Sequence, residues 1–229
     1  MLEEVSFGTG WVEPALREEF RGLGLRFTVA PAQTGRSPRE LRGRLRHLSD
    51  RIHGQRVVNL RREPVASAYR VFFRQIGIDP DEHKPPGEAA MLERLRAGHF
   101  KSRDLLEDAL TVAVVETGVA VRAFDADRLE GTLGLRIAHR GEHLAGDRMD
   151  LPDGAIVVAD ERRPIGLVFG ETGSAPAVTR ATKRIMLCVV RVPGIPEISV
   201  EEALWTCAGI LMGDVHKNEK AEQEGRSRK

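Results

Sequence analysis

The sequence predicts an α/β (α+β) protein with mainly antiparallel or mixed β-sheets in a sandwich-like core flanked by helices. Three observations carry this. The first half of the chain places apolar residues at helical spacing, the second half changes to short β-type runs divided by Gly, Asp and Pro, and one more helical stretch follows. Helices on either side of a strand cluster indicate sheets partly covered by helices. With 229 residues, 41% of them apolar, the chain can build one large domain or two small ones around a real core.

The first ~35 residues read as a short strand, a helix and another strand. Pro14 suits the first turn of a helix through Phe20, and Leu25-Arg26-Phe27-Thr28-Val29 alternates as a strand does. Ser37-Pro38-Arg39-Glu40 reads as a capping box opening the next helix. Its buried stripe is Leu41, Leu45, Leu48 and Ile52. A helix from about Pro64 to Gly77 turns Ala66, Tyr69, Phe72 and Phe73 inward. Asp79-Pro80 and Lys84-Pro85-Pro86 punctuate the next connection, and helical stretches follow at Glu88 to Ala97 and Leu105 to Glu116. Strands are expected at 119–124, 133–138, 155–159, 166–169 and 184–192. Ser199-Val200-Glu201-Glu202 reads as a second capping box, opening a helix to about Met212. These elements divide into an N-terminal α/β segment with a basic helix (1–62), packed on a main domain (63–214), and a flexible polar tail (215–229).

Composition narrows the function classes. No apolar run approaches the ~20 residues of a membrane span, and Met-Leu-Glu-Glu-Val does not open a signal peptide. Cys188 and Cys207 lie in apolar runs and read as buried hydrophobes in a reducing cytosol, so a cytoplasmic address is expected. The net charge of +1 hides nine arginines between Arg36 and Arg62 against Glu40 and Asp50. Arginine forks pair with phosphates, so Arg39, Arg42 and Arg46 are candidate RNA contacts; the alternative is a solvated helix face. The seven histidines are scattered without ligand spacing, so no metal and no cofactor are expected. Gly8-Thr9-Gly10 and Gly22-Leu23-Gly24 lack the context of a phosphate loop. No residue is marked as a nucleophile.

One ordered series of segments remains. It runs Val121-Arg122-Ala123-Phe124-Asp125-Ala126-Asp127-Arg128-Leu129-Glu130-Gly131, Leu135-Arg136-Ile137-Ala138, Gly141-Glu142, Ile156-Val157-Val158-Ala159-Asp160, Pro164-Ile165-Gly166-Leu167-Val168-Phe169-Gly170-Glu171 and Thr179-Arg180-Ala181-Thr182. In order and spacing it resembles the sequence around the amino-acid-binding pocket of the editing (B3/B4) domain in the bacterial phenylalanyl-tRNA synthetase β subunit. The resemblance covers about residues 66 to 195. It implies a free-standing member of that family, with the aminoacylated 3′ end of a tRNA as partner and neither DNA nor membrane. The implied chemistry is hydrolysis of the ester between an amino acid and the tRNA, an activated bond whose cleavage needs mainly a positioned water and a hydrogen-bonded carbonyl.

Gly170, Thr172, Thr179 and Thr182 are best suited to that work; turn and strand chemistry is the alternative. Arg122, Phe124, Arg136, Asp160, Glu171 and Cys188 are the candidate substrate contacts. Two positions depart from the family, which often has His at Arg122 and Glu at Cys188. Those groups help recognise tyrosine there, and a site built to hydrogen-bond a phenol loses discrimination without them. Tyrosine is therefore not the expected substrate, and Arg122 suits a carboxylate or phosphate instead. Asp125 is expected to cap the turn toward Leu129, Glu142 to sit in a turn, and Asp160 to solvate a hairpin. Three readings stay open: a trans-acting deacylase, a non-catalytic RNA-binding or regulatory module, and an amino-acid sensor.

Overall fold

The computed structural model describes residues 5–32, 35–52 and 60–213. The expected tail at 215–229 and the opening Met-Leu-Glu-Glu lie outside the described residues. Two short strands, β1 (Gly8–Thr9) and β2 (Trp11–Val12), precede α1 (Pro14–Glu19) and the long strand β3 (Gly24–Pro31). Helices α2 (Arg39–Arg51), α3 (Pro64–Gln75), α4 (Pro86–Ala97) and α5 (Leu105–Thr117) follow. Then come β4 (Arg122–Asp125), a 3-10 turn at Ala126–Arg128, β5 (Gly134–Ile137), β6 (Ile156–Ala159), β7 (Pro164–Leu167), β8 (Arg184–Arg191) and α6 (Glu197–Leu211).

The strands form two four-stranded sheets, ordered β1-β3-β8-β4 and β2-β5-β6-β7. Every pairing is antiparallel except β2 with β5. One extended segment supplies both sheets: Gly8–Thr9 pairs with β3, and two residues later Trp11–Val12 pairs with β5. Gly10 is the crossing point. A Cβ there would stand 2.6 Å from the Leu133 carbonyl oxygen and 2.7 Å from a Leu25 methyl, so only glycine lets the sheets approach this closely. The N-terminal residues are thus woven into the strand-rich half rather than set beside it. β3 bonds to β8 from Gly24↔Arg191 through Pro31↔Arg184.

The helices bury the faces their spacing foretells. Leu41, Leu45, Leu48 and Ile52 are buried along and just past α2, and Ala66, Tyr69, Phe72 and Phe73 along α3. Each large apolar side chain so buried stabilises the fold by about 1.5–3 kcal/mol. Phe20 meets Phe72 edge to face at 5.2 Å, the geometry the aromatic quadrupole favours. Helix α6 buries Val200, Ala203, Leu204, Cys207, Ala208 and Leu211 in the core, while Ile198 and Trp205 stay exposed on its other face. Among the described residues no helix is long and apolar enough to cross a membrane.

Neither expected capping box forms. Helix α2 starts after Pro38 with no side-chain cap; the Ser37 hydroxyl donates instead to the Asp108 carboxylate of α5, at 2.5 Å. Helix α6 starts at Glu197, after Pro196, which places Ser199 inside the first turn. In both cases proline sets the entry angle, and in the first a distant carboxylate outcompetes the local backbone for the hydroxyl. Two strands are also displaced. Residues 119–121 precede β4 because the Val119 and Ala120 amides donate to the Thr117 hydroxyl and the Tyr69 phenol. β7 ends at Leu167 because Phe169 turns away to pack on Tyr69, Phe72 and Phe73, at 5.7, 6.0 and 4.6 Å.

Candidate functional site

The two departures from the family pattern are cross-strand partners: Arg122 of β4 stands opposite Cys188 of β8. Such partners share one face of a sheet, and Phe124, two residues along β4, shares it too. The Arg122 guanidinium lies 5.5 Å from the centre of the Phe124 ring, close enough for a cation–π attraction. Cys188 and Phe124 are fully buried, so they form the bed under Arg122. Burial pushes the Cys188 thiol up to about 12, against the opposing effect of the Arg122 charge. The thiol is therefore protonated at neutral pH and is no nucleophile.

Arg122 reaches across to the segment after β7. Its Nη1 donates to the Leu167 carbonyl, and its Nη2 donates to the Glu171 carbonyl at 3.3 Å and the Thr172 hydroxyl at 2.6 Å. Gly166 makes room for this, since a Cβ there would collide with Arg122 Nη2. Among the described residues no carboxylate oxygen lies within 4.0 Å of the guanidinium. Burial draws its pKa below the usual value, the expected direction for a cation partly removed from water.

A cavity of about 900 Å³ opens beside it. Arg122 and Ala123 line one part, Leu106, Glu107 and Leu110 of α5 another, and Thr172, Thr179 and Arg180 a third. Gly35 and Arg36, ahead of α2, close the rim with Arg103 and Asp104. Buried carboxylates fix these segments. Asp125 accepts from the Thr182 hydroxyl at 2.7 Å, and Thr182 accepts from the Thr179 amide at 2.9 Å, which ties the 179–182 turn to β4. Asp108 accepts from Ser37, from Ser102 and from the Arg103 amide at 2.5, 2.5 and 2.9 Å, which ties the rim loops to α5. The Leu105 amide adds a 2.9 Å bond to the Gly35 carbonyl.

Of the expected site residues, Arg122, Thr172 and Thr179 line this cavity. Glu171 contributes through its backbone carbonyl. Thr182 is buried and bonded to Asp125, so it supports the site from behind. Gly170 faces a separate cavity of about 680 Å³ with Phe73, His83, Lys84 and Phe169, next to the Phe169 ring packed on Phe73 at 4.6 Å. Arg136 does not line the first cavity; it pairs with Glu142 through two bonds of 2.6 and 2.7 Å. That pairing holds the Glu142 carboxyl below its ordinary value. Asp160 is also elsewhere, buried, accepting from the Glu130, Arg162 and Arg163 amides. Both are held by the second sheet's own turns.

Arg39 and Arg46 are exposed on α2, and Arg42 is half-buried. Arg44 of the same block forms a bidentate pair with Glu116 at 2.9 and 2.5 Å. Arg36, Arg103, Glu107, Leu110 and Arg180 also line the cavity, and no motif in the sequence marks them for it. Arg36 and Arg180 sat within segments already noted, but which arginine of a cluster faces a cavity is decided by contacts far along the chain. Among the described residues no three His, Cys, Asp or Glu side chains gather to hold a metal ion.

One antiparallel and one mixed four-stranded sheet, with a cavity lined by arginine and threonine beside β4, define the class as an α/β domain. Residues 68–199, more than half the chain, match the model of the B3/4 domain. The protein belongs to the B3/4 domain family. Its relatives include phenylalanine–tRNA ligase beta subunits. That of Xanthomonas oryzae pv. oryzae is 34% identical over 114 residues, covering 48% of this chain and 14% of that subunit. That of Neisseria gonorrhoeae is 36% identical over 100 residues, covering 42% and 13%. That of Cutibacterium acnes is 34% identical over 106 residues, covering 44% and 12%. The chain thus spans only a small part of the length of the relatives it matches. Among solved structures, an N-terminal fragment of the phenylalanyl-tRNA synthetase beta subunit from Pyrococcus horikoshii is 16% identical, covers 49% of this chain and 41% of that one, and has a TM-score of 0.39.

Proposed function

We propose that the protein binds the aminoacylated 3′ end of a tRNA in the cavity beside β4 and hydrolyses the ester of a mischarged amino acid other than tyrosine. The observation that carries this is the convergence of Arg122, Thr172 and Thr179 on one cavity of about 900 Å³ whose lining also includes Arg36, Arg103 and Arg180. Arginines at the mouth suit the phosphates of an RNA end, and the arginines of α2 begin three residues beyond Arg36. Inside, the Thr172 and Thr179 side chains orient a water toward the ester carbonyl. The aminoacyl ester is activated, so positioning supplies much of the rate and no strong base is required. The ribose hydroxyl of the terminal nucleotide leaves as the carbonyl carbon gains the water oxygen. The relatives are subunits of tRNA ligases, which supports RNA as the partner class.

The purified chain is expected to release the amino acid from at least one member of a panel of mischarged tRNAs. Thr172→Val and Thr179→Val should slow that release roughly 10–100-fold, the range for a misplaced reactant. No release anywhere in the panel rejects hydrolysis.

A second reading, an RNA-binding module without turnover, draws on the placement of Gly170 and Thr182: one faces another cavity and the other is engaged by Asp125. It shares the RNA contacts. Binding of tRNA is expected to weaken with salt. Neutralising Arg39, Arg42 and Arg46 should flatten the slope of log affinity against log salt by roughly 0.7–0.9 per lost phosphate contact. Affinity indifferent to salt removes both readings.

A further inference from the structure

Arg122 carries more than its structural bonds explain. A guanidinium has five N–H donors, and three of them go to Leu167, Glu171 and Thr172. All three acceptors are neutral. Two donors remain, and no carboxylate among the described residues lies within ion-pair distance. A cation drawn out of water is costly without a counter-charge. A structural arginine would be expected to show one, as Arg136 does with Glu142 and Arg70 with Glu88. Arg122 instead lines a cavity that has room for a ligand. Its fork is held in place by the Thr172 hydroxyl from one side and the Phe124 ring from another, so little freedom is lost on binding. Arg36 and Arg180, on the same lining and without an ion-pair partner among the described residues, raise the positive potential there. Glu107 lines the cavity as well, and is 3.8 Å from Arg103. An α-ammonium group therefore has a carboxylate within the same space.

We propose that the cavity selects ligands bearing an oxyanion and that Arg122 is the residue that reads it. This rests on the reading of the cavity as the site for an aminoacylated RNA end. It adds the substrate class: either the acyl side chain ends in a carboxylate, or the anion is the phosphate of the terminal nucleotide. Either anion would accept a charge-assisted hydrogen bond from a guanidinium N–H left over by these three contacts, roughly twice as strong as a neutral one.

Four stable amide analogues separate the possibilities by calorimetric titration of the intact chain. They are 3′-deoxyadenosine carrying a 3′-glutamylamido or 3′-glutaminylamido group, each with and without a 5′-phosphate. Glutamyl and glutaminyl differ by one charge at nearly constant shape. The expected result is binding roughly tenfold or more tighter for the member with the recognised anion, either glutamyl over glutaminyl or phosphorylated over not. Arg122→Gln should abolish the preference and Arg122→Lys should keep part of it, which separates charge from packing. If all four analogues bind alike, the cavity reading stands and the selectivity proposal is overturned. If none binds, both are overturned. A preference unchanged in Arg122→Gln assigns the anion to another residue and equally overturns the role given to Arg122.

Discussion

Replacing Arg70 with alanine is expected to destabilise the fold by about 3–5 kcal/mol, the usual effect of removing one partner of a buried ion pair. Arg70 projects from α3 and is 8% exposed; Glu88, in the first turn of α4, is 2% exposed. Arg70 Nη1 donates to both Glu88 oxygens at 3.1 Å, and Nη2 donates to Asp81 at 2.6 Å. The Arg70 guanidinium holds the Asp81 carboxyl below its ordinary value. Without Arg70, Glu88 keeps, among the described residues, only Arg61, at 3.5 Å and half exposed, and the buried carboxylate loses most of its compensation. Denaturant titration checks this through the midpoint at constant slope. The double variant Arg70→Met with Glu88→Leu should recover most of the loss, because an apolar pair of similar volume escapes the desolvation cost. A single-variant loss under about 1 kcal/mol, or a double variant no better than the single, refutes the account.

The second large effect is expected at Gly166. Its backbone does not adopt a positive φ, so a β-branched residue suits the strand and valine should cause no backbone strain. The obstacle is spatial: a Cβ would collide with Arg122 Nη2 and lie 3.2 Å from the Glu171 carbonyl. Gly166→Val should therefore push the guanidinium off Leu167, Glu171 and Thr172. Overpacking of this kind costs about 1–3 kcal/mol. The functional loss should be the greater one. Under the anion-selective reading, Gly166→Val should reduce the preference among the four analogues as fully as Arg122→Gln, although Arg122 itself is retained. A folded Gly166→Val protein with the preference of the parent chain would sink the idea that this geometry sets selectivity.

What the sequence disclosed follows the range of the interaction. The α2 stripe, the inward face of α3 and the strand-rich second half were legible because each rests on spacing within about two turns or one strand. The Asp125 cap was legible too; its carboxylate accepts from the Asp127 amide two residues on, at 3.1 Å. The cap expected at Ser37 does not form because the acceptor its hydroxyl takes lies 71 residues away, on α5. The site divides in the same way. Arg122 stands out through an ordered resemblance, and Thr172, one residue past its segment, through the chemistry that resemblance implies. Arg136 and Asp160 belonged to the same series, but the partners that hold them, Glu142 and the 161–163 turn, are set by the second sheet. Arg36 opens the arginine block legible in the sequence, but its place on the cavity depends on the Leu105 amide holding Gly35 from 70 residues away.

The crossing at Gly10 bears on how far this family's module can travel. The stretch that defines the family starts at residue 68, yet β8, inside it, has β3 along one whole edge, and β5 has β2. A transplant of residues 68–199 into another protein would carry two open strand edges, the longer spanning eight residues. Open edges invite pairing with other chains. Any host must bring strands of its own to fill both places.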